Sequence, residues 1–290
     1  MKAAFVGIVG RPSSGKSTLL NQMCGNKVSI VSPVPQTTRN SVRGIYNGDQ
    51  GQLVFVDTPG FHLSDKKFNL HLRNLVLKTV AEADLVLYLV DVSRAPGDEE
   101  RALRERLAEH RPKLVAGLNK VDFQPNYLQS IQAEIRSWWE APRLYPLSAL
   151  NGEGVPALLE ELFRLAPEGE RLYPEEYYTD QSPEFRIKEI IREKAILQTY
   201  GEVPHALFVG LEDLEMKGED LLWVRGFLYV ERESQKGILV GRNGDRIRGI
   251  VLAAQEELDR IFPYRVQLDI RVKVKPKWRS DSKLLEKLIS

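Results

Sequence analysis

The 290-residue sequence is poor in sulfur, with one cysteine, Cys24, and three methionines. A single thiol excludes an intramolecular disulfide framework and any cysteine-built zinc cluster, and it suits a reducing compartment. Four histidines, His62, His71, His110 and His205, stand without metal-ligand spacing and read as packed or solvated imidazoles. No apolar run approaches the ~18 residues of a transmembrane helix. The apolar stretch Ala3–Val9 leads straight into a glycine turn and reads as a strand, not as an export signal. Net charge is nearly absent too, with 41 basic against 40 acidic residues. That excludes a uniformly polybasic protein. It does not exclude a nucleic-acid partner, because the balance is a cancellation. Residues 1–170 carry 20 basic and 19 acidic groups, residues 171–220 carry 6 and 12, and residues 221–290 carry 15 and 9.

What is present divides the chain in two, as its length suggests. The first ~165 residues alternate short apolar strands with amphipathic helices. Strands are expected at Ala3–Val9, Leu53–Asp57, Leu85–Asp91, Lys113–Asn119 and Arg143–Pro146, with an antiparallel edge strand at Ser41–Asn47. Helices include Glu99–Glu109 and Val155–Leu165. This order implies an α/β domain, 1–167, whose mostly parallel sheet is covered on both faces. A proline- and acid-rich stretch, 168–183, reads as a linker. After it comes a smaller α+β domain, 184–280, of order α-β-β-α-α-β, and a C-terminal tail, 281–290. Its strands are expected at Pro204–Leu211, Asp220–Glu231 and Tyr264–Lys275, with a helix at Asp245–Arg260.

Gly10-Arg11-Pro12-Ser13-Ser14-Gly15-Lys16-Ser17, followed by Thr18, fits the phosphate-loop pattern G-x-x-x-x-G-K-S/T between a strand and a helix. Backbone N–H groups and a helix N-terminus suit phosphate, Lys16 suits the β- and γ-phosphates, and the Ser17 hydroxyl suits Mg²⁺. Asp57-Thr58-Pro59-Gly60 closes another strand; Asp57 can hold Mg²⁺ through water, and the Gly60 N–H can meet a γ-phosphate. Asn119-Lys120-Val121-Asp122 closes a third. Asp122 can accept two hydrogen bonds from a guanine edge, which adenine cannot offer, and Asn119 and Lys120 brace the loop. Ser148-Ala149 can close the base pocket. In this order the motifs resemble translation-factor-like GTPases. Pro33-x-Pro35-Gln36-Thr37-Thr38-Arg39 is the expected first switch loop, with one of its threonines, Thr38 favoured, binding Mg²⁺. Lys16, Thr38 and Gly60 are thus the expected catalytic groups. Phe61 stands where Ras-like enzymes carry a water-orienting Gln, so either intrinsic turnover is slow or backbone groups, another side chain or a partner place the water.

Gly241-Arg242-Asn243-Gly244, after an aliphatic run and before an amphipathic helix, resembles the G-x-x-G loop of a type II KH domain. Such loops clamp about four single-stranded nucleotides. Arg271-Val272-Lys273-Val274-Lys275 leaves two readings open, a solvated strand face with Trp278 as a plug or a phosphate-tracking stripe using Lys273 and Lys275. A P-loop ATPase gives no reason for Asn119-Lys120-x-Asp122; an RNA-binding module using nucleotide only structurally stays open.

P-Q-T-T-R and D-T-P-G-F with a single type II KH domain resemble the bacterial Era family over essentially the whole chain. That resemblance implies GTP/GDP and Mg²⁺ as ligands, and a cytoplasmic factor for small ribosomal subunit maturation. Its KH domain would grip the 3′ end of small-subunit rRNA, with no obligate protein partner. Peripheral membrane association is ascribed to some members. Many relatives carry Asn at the third variable P-loop position, where it helps hold an activating K⁺. Ser13 departs from that pattern and speaks against K⁺ dependence.

Overall fold

Strands of uniformly apolar residues bury both their faces, and the first half of the chain is built from them. The computed structural model describes residues 1–64, 66–124 and 126–288. By its internal contacts it divides into Met1–Asp180 and Gln181–Lys287.

In the first unit β1 (Lys2–Val9) leads into α1 (Lys16–Cys24), followed by the hairpin of β2 (Val42–Gly48) and β3 (Gly51–Asp57). Then come α2 (Lys67–Glu82), β4 (Leu85–Asp91), α3 (Asp98–Leu107), β5 (Leu114–Asn119), α4 (Leu128–Trp138), β6 (Leu144–Leu147) and α5 (Val155–Leu165). The sheet order is β2-β3-β1-β4-β5-β6, with only β2 antiparallel to its neighbour. Every residue of β4 and β5 is buried, so both faces are covered. Parallel pairing puts Val9, Asp57, Asp91, Asn119 and Leu147 at one edge. In open sheets of this kind that edge is where ligands bind.

The segment expected as a linker, 168–183, does not hang free over most of its length. Residues 172–180 lie along β2 and β3, where Ile45 N–H donates to Tyr178 O at 2.9 Å. Fully buried Gln52 accepts from Leu172 N and Tyr173 N and donates to Tyr173 O, all within 2.9 Å. Arg43 pairs with Asp180 at 2.8 Å. These contacts cover an edge that would otherwise offer unpaired backbone groups.

The second unit begins with α6 (Pro183–Leu197), whose N-cap Ser182 accepts from Phe185 N. Where a strand is expected from Pro204, a short helix α7 (Val203–Ala206) comes first, because proline suits a first helical turn and cannot donate to a ladder. Strands β7 (Phe208–Met216), β8 (Leu221–Val230) and β9 (Arg265–Val274) form the sheet. Between β8 and β9 run α8 (Glu233–Val240) and α9 (Asp245–Ile261). Leu222, Val224, Leu228, Val230, Val266, Leu268 and Ile270 are buried on one sheet face, with Ile187 and Ile191 of α6 and Ile250, Ala254 and Leu258 of α9 buried opposite. The expected tail contains α10 (Ser282–Leu288), with Leu285 buried; positions 289 and 290 of that tail lie outside the described residues.

Candidate functional site

Gly10–Ser17 turns from β1 into α1 with Ser13 at φ 61° and Gly15 at φ 94°, both left-handed. A Cβ on Gly15 would lie 2.3 Å from Asn119 Nδ2, so the close approach of the two loops requires glycine. Gly60 also packs tightly: a Cβ there would come within 2.6 Å of Pro12 Cα. Lys16 is buried and donates Nζ to the carbonyls of Gly10 and Arg11 at 3.2 and 3.1 Å. Burial pushes its pKa down to about 8, with Asp57 pulling the other way.

The three expected metal ligands converge. Ser17 Oγ donates to Asp57 Oδ2 at 2.6 Å and lies 2.9 Å from Thr38 Oγ1. Thr38 is the threonine whose hydroxyl meets Ser17, while Thr37 donates to Val34 O at 2.6 Å. Asp57 is fully buried, its carboxyl raised by burial and opposed by Lys16, Ser17 and Ser29. Its Oδ1 is buried without a hydrogen bond. Two hydroxyls and a carboxylate with an unsatisfied oxygen fit a hard, oxygen-seeking Mg²⁺. Ser17, Thr18, Thr38, Gly60 and Lys120 line a cavity of about 520 Å³.

Some motif residues hold the site without facing it. Thr58 is fully buried and donates to Ile8 O at 2.7 Å, fixing the turn after β3. Pro59 is buried beside it. Phe61 donates its N–H to Gly10 O at 3.0 Å, while its ring, 1% exposed, joins the core with Val76, Val80 and Tyr88. No side chain at this position is available to orient water.

Asn119 joins three loops: its Nδ2 donates to Ser14 O at 2.8 Å, and its Oδ1 accepts from Ala149 N at 2.8 Å. Lys120 donates Nζ to Ser13 O at 2.9 Å. Val121 N–H donates to Leu147 O at 3.3 Å, and Ser148 is buried next to it. Asp122 is exposed beyond this brace. Two polar residues outside the sequence motifs also hold the site. Ser29 donates Oγ to Asp57 Oδ2 at 2.9 Å, and no pattern marks it. Asp91 was signalled only by its place at the end of a buried strand, as Asp57 was. It binds Lys120 at 2.9 Å. Burial works against its charge, yet hydrogen bonds from Ser93 and Lys120 hold it below the usual carboxylate value.

In the second unit Gly241 (φ 74°) and Gly244 (φ 81°) are both left-handed, as is Asn243 at φ 53°. A Cβ on Gly241 would lie 2.8 Å from Arg246 Cβ. Arg242 and Asn243 are exposed, and the loop opens directly into the N-terminus of the 17-residue α9. Lys273 does not join this loop. Alternation along β9 puts it on the sheet face turned away from α9, with Nζ 3.3 Å from the Phe227 ring centre and 3.7 Å from Glu212. Lys275 follows β9, bonded by its backbone N–H to Val230 O. Trp278 is buried, donating Nε1–H to Ala206 O at 2.8 Å.

A phosphate loop, a cluster of oxygen donors that fits Mg²⁺ and an Asn-Lys-x-Asp loop at one sheet edge define a P-loop GTPase, here followed by a KH-like domain. Residues 5–120 match the family described as 50S ribosome-binding GTPase, and residues 202–279 match the KH domain. The chain is 49% identical to GTPase Era of Treponema denticola, over 99% of both chains. It is 42% identical to GTPase Era of Borreliella burgdorferi, over the whole of both chains. The chain belongs to the Era family of GTPases, and it is an enzyme that hydrolyses GTP. Its fold superimposes on Aquifex aeolicus Era, a Tyr-to-Ala variant bound to GDP and AlF₄⁻, with TM-score 0.94, 32% identity and 99% of each chain covered. An Era bound to MgGDPNP and nucleotides 1506–1542 of 16S ribosomal RNA matches with TM-score 0.95 and 32% identity, over 99% of this chain and 98% of that one.

Proposed function

We propose that this GTPase binds the 3′ end of small-subunit rRNA through its KH domain and serves maturation of the small ribosomal subunit. The observation that carries this is the G-x-x-G loop, held open by two left-handed glycines at the start of α9, in a chain that matches an RNA-bound Era over nearly its full length. The family description for residues 5–120 names the large subunit. It covers the GTPase part alone, and the small-subunit assignment rests on the second unit. Backbone N–H groups, the α9 N-terminus and Arg242 suit phosphates. Peripheral membrane contact finds no support and is left out; among the described residues no helix is long and apolar enough to cross a membrane.

Ser17, Thr38 and Asp57 would hold Mg²⁺, which when bound neutralises developing phosphate charge. Lys16 and the loop N–H groups would bind the phosphates, and Asp122 would select guanine. Turnover is slow without a partner, because the Phe61 ring lies in the core. It is also independent of K⁺, because Ser13 replaces the Asn ligand; equal rates in KCl and NaCl are expected, and a rate rising severalfold in KCl contradicts this.

The RNA assignment is tested by titrating a labelled 16S 3′-end oligonucleotide at several salt concentrations. Affinity falls as salt rises, and Arg242→Glu weakens it about tenfold or more while leaving GTP hydrolysis unchanged. Undiminished binding by Arg242→Glu would remove the loop from the interface.

A further inference from the structure

From Gly10 to Ser14, ahead of the helix, every carbonyl of the phosphate loop is taken by a side-chain donor. Lys16 binds those of Gly10 and Arg11, Lys120 that of Ser13, and Asn119 that of Ser14. Among the five carbonyls from Gly10 to Ser14, the fifth, Pro12 O, accepts from Arg94 Nη2 at 2.6 Å. Arg94 belongs to none of the nucleotide motifs. It lies in the turn between β4 and α3, with Nε 3.0 Å from Asp91 Oδ2.

This turn is itself fixed to the loop. Arg11 donates Nη2 to the carbonyls of Asp91 and Arg94 at 3.1 and 3.3 Å, and Nη1 to Ala95 O at 3.1 Å. Its Nε lies 3.2 Å from the buried Glu100 carboxylate. Asp91 Oδ1 accepts from Ser93 N and Oγ at 3.0 and 2.6 Å, which leaves Oδ2 for Arg94 and Lys120. Arg11 therefore runs from the loop to the turn and Arg94 runs back, closing a ring.

Geometry makes that return arm consequential. The Pro12 carbonyl and the Ser13 N–H are opposite ends of one planar trans peptide. A cation that holds the carbonyl on one side turns the N–H to the other. Released, the peptide could rotate, and a carbonyl dipole facing a polyphosphate would repel it. We propose that Arg94, held by Asp91, is a positioning residue for phosphate binding: it fixes the 12–13 peptide with its N–H available to the nucleotide. Arg94 touches no phosphate in this account. It acts through the loop, and its cationic field adds to that of Lys120 on the next peptide.

The proposal rests on nucleotide binding at this loop, so the test separates the two. The affinity of the full chain for mant-GTP is measured alongside the melting temperature of nucleotide-free protein, for wild type, Arg94→Ala and Arg94→Lys. Failure of the wild type to bind would overturn the site itself. Arg94→Ala is expected to bind mant-GTP about tenfold more weakly, the loss of roughly one charge-assisted hydrogen bond. Its melting temperature and its preference for guanine over adenine stay unchanged. Arg94→Lys, which keeps one cationic donor, recovers most of the affinity. Wild-type affinity in Arg94→Ala overturns the proposal, as does a loss that follows a lowered melting temperature and is not recovered by lysine.

Discussion

Replacing Lys16 by alanine is expected to lower the single-turnover rate of MgGTP hydrolysis by about 10²–10³-fold, the usual effect of removing one preorganised charge from a developing anion. Lys16 is placed for this by burial. The residue is 5% exposed, its charge is felt by Asp57, and its ammonium is held over the loop by two carbonyls. Neutral carbonyls compensate a buried cation poorly, as the fall of its pKa to about 8 records. A polyphosphate would meet a charge that has already lost its water. Because alanine also removes an aliphatic stem from a packed loop, Lys16→Met serves as a control that keeps bulk without charge. Both variants should lose turnover alike, with the fold intact by circular dichroism. Turnover within fivefold of wild type in Lys16→Met would contradict the assignment.

The second large effect concerns the base. Asp122→Asn is expected to weaken GTP binding by about 10²–10⁴-fold, since two hydrogen bonds to a carboxylate are lost or reversed. The same change should admit XTP. Xanthine carries a carbonyl where guanine carries its amine, and an asparagine amide can donate there while still accepting from N1–H. Competition of GTP, XTP and ATP against mant-GTP reads the switch. An unaltered order of affinities would remove Asp122 from the base site. The brace behind it is expected to survive, because Asn119 and Lys120 make their contacts to Ser14, Ala149, Ser13 and Asp91 without Asp122.

How much of this was legible follows from the kind of information each feature needs. The phosphate loop, Asp57-Thr58-Pro59-Gly60 and Asn119-Lys120-x-Asp122 could be read because each is local, a short motif at the end of an apolar strand. The structure adds the contact of Thr38, the favoured of two adjacent threonines, with Ser17, a matter of loop path that composition does not encode. Ser29 and Arg94 were invisible as site residues, since Asp57 and Pro12 lie tens of positions from them and serine and arginine are ordinary in loops, whereas Asp91 was marked only by its place at the end of a buried strand. The hold on residues 172–180 had one local trace, Gln52 at the start of the apolar run of β3. A buried amide must find partners, and here they are the backbone of Leu172 and Tyr173. The charge asymmetry of the second half was read correctly as segregation, yet not as geometry. Strand alternation carries Lys273 to the face away from α9, where Phe227 and Glu212 occupy it. Arg242 stays exposed in the G-x-x-G loop.

Ultraviolet crosslinking of the full-length protein to RNA in growing cells, with sequencing of the crosslinked fragments, tests the account at its centre. Crosslinks should concentrate in the 3′-terminal region of 16S rRNA, map within the protein to the loop Gly241–Gly244 and its flanks, and fall in cells carrying Arg242→Glu. Crosslinks concentrated on other RNA, or unchanged by that substitution, would contradict the proposed function.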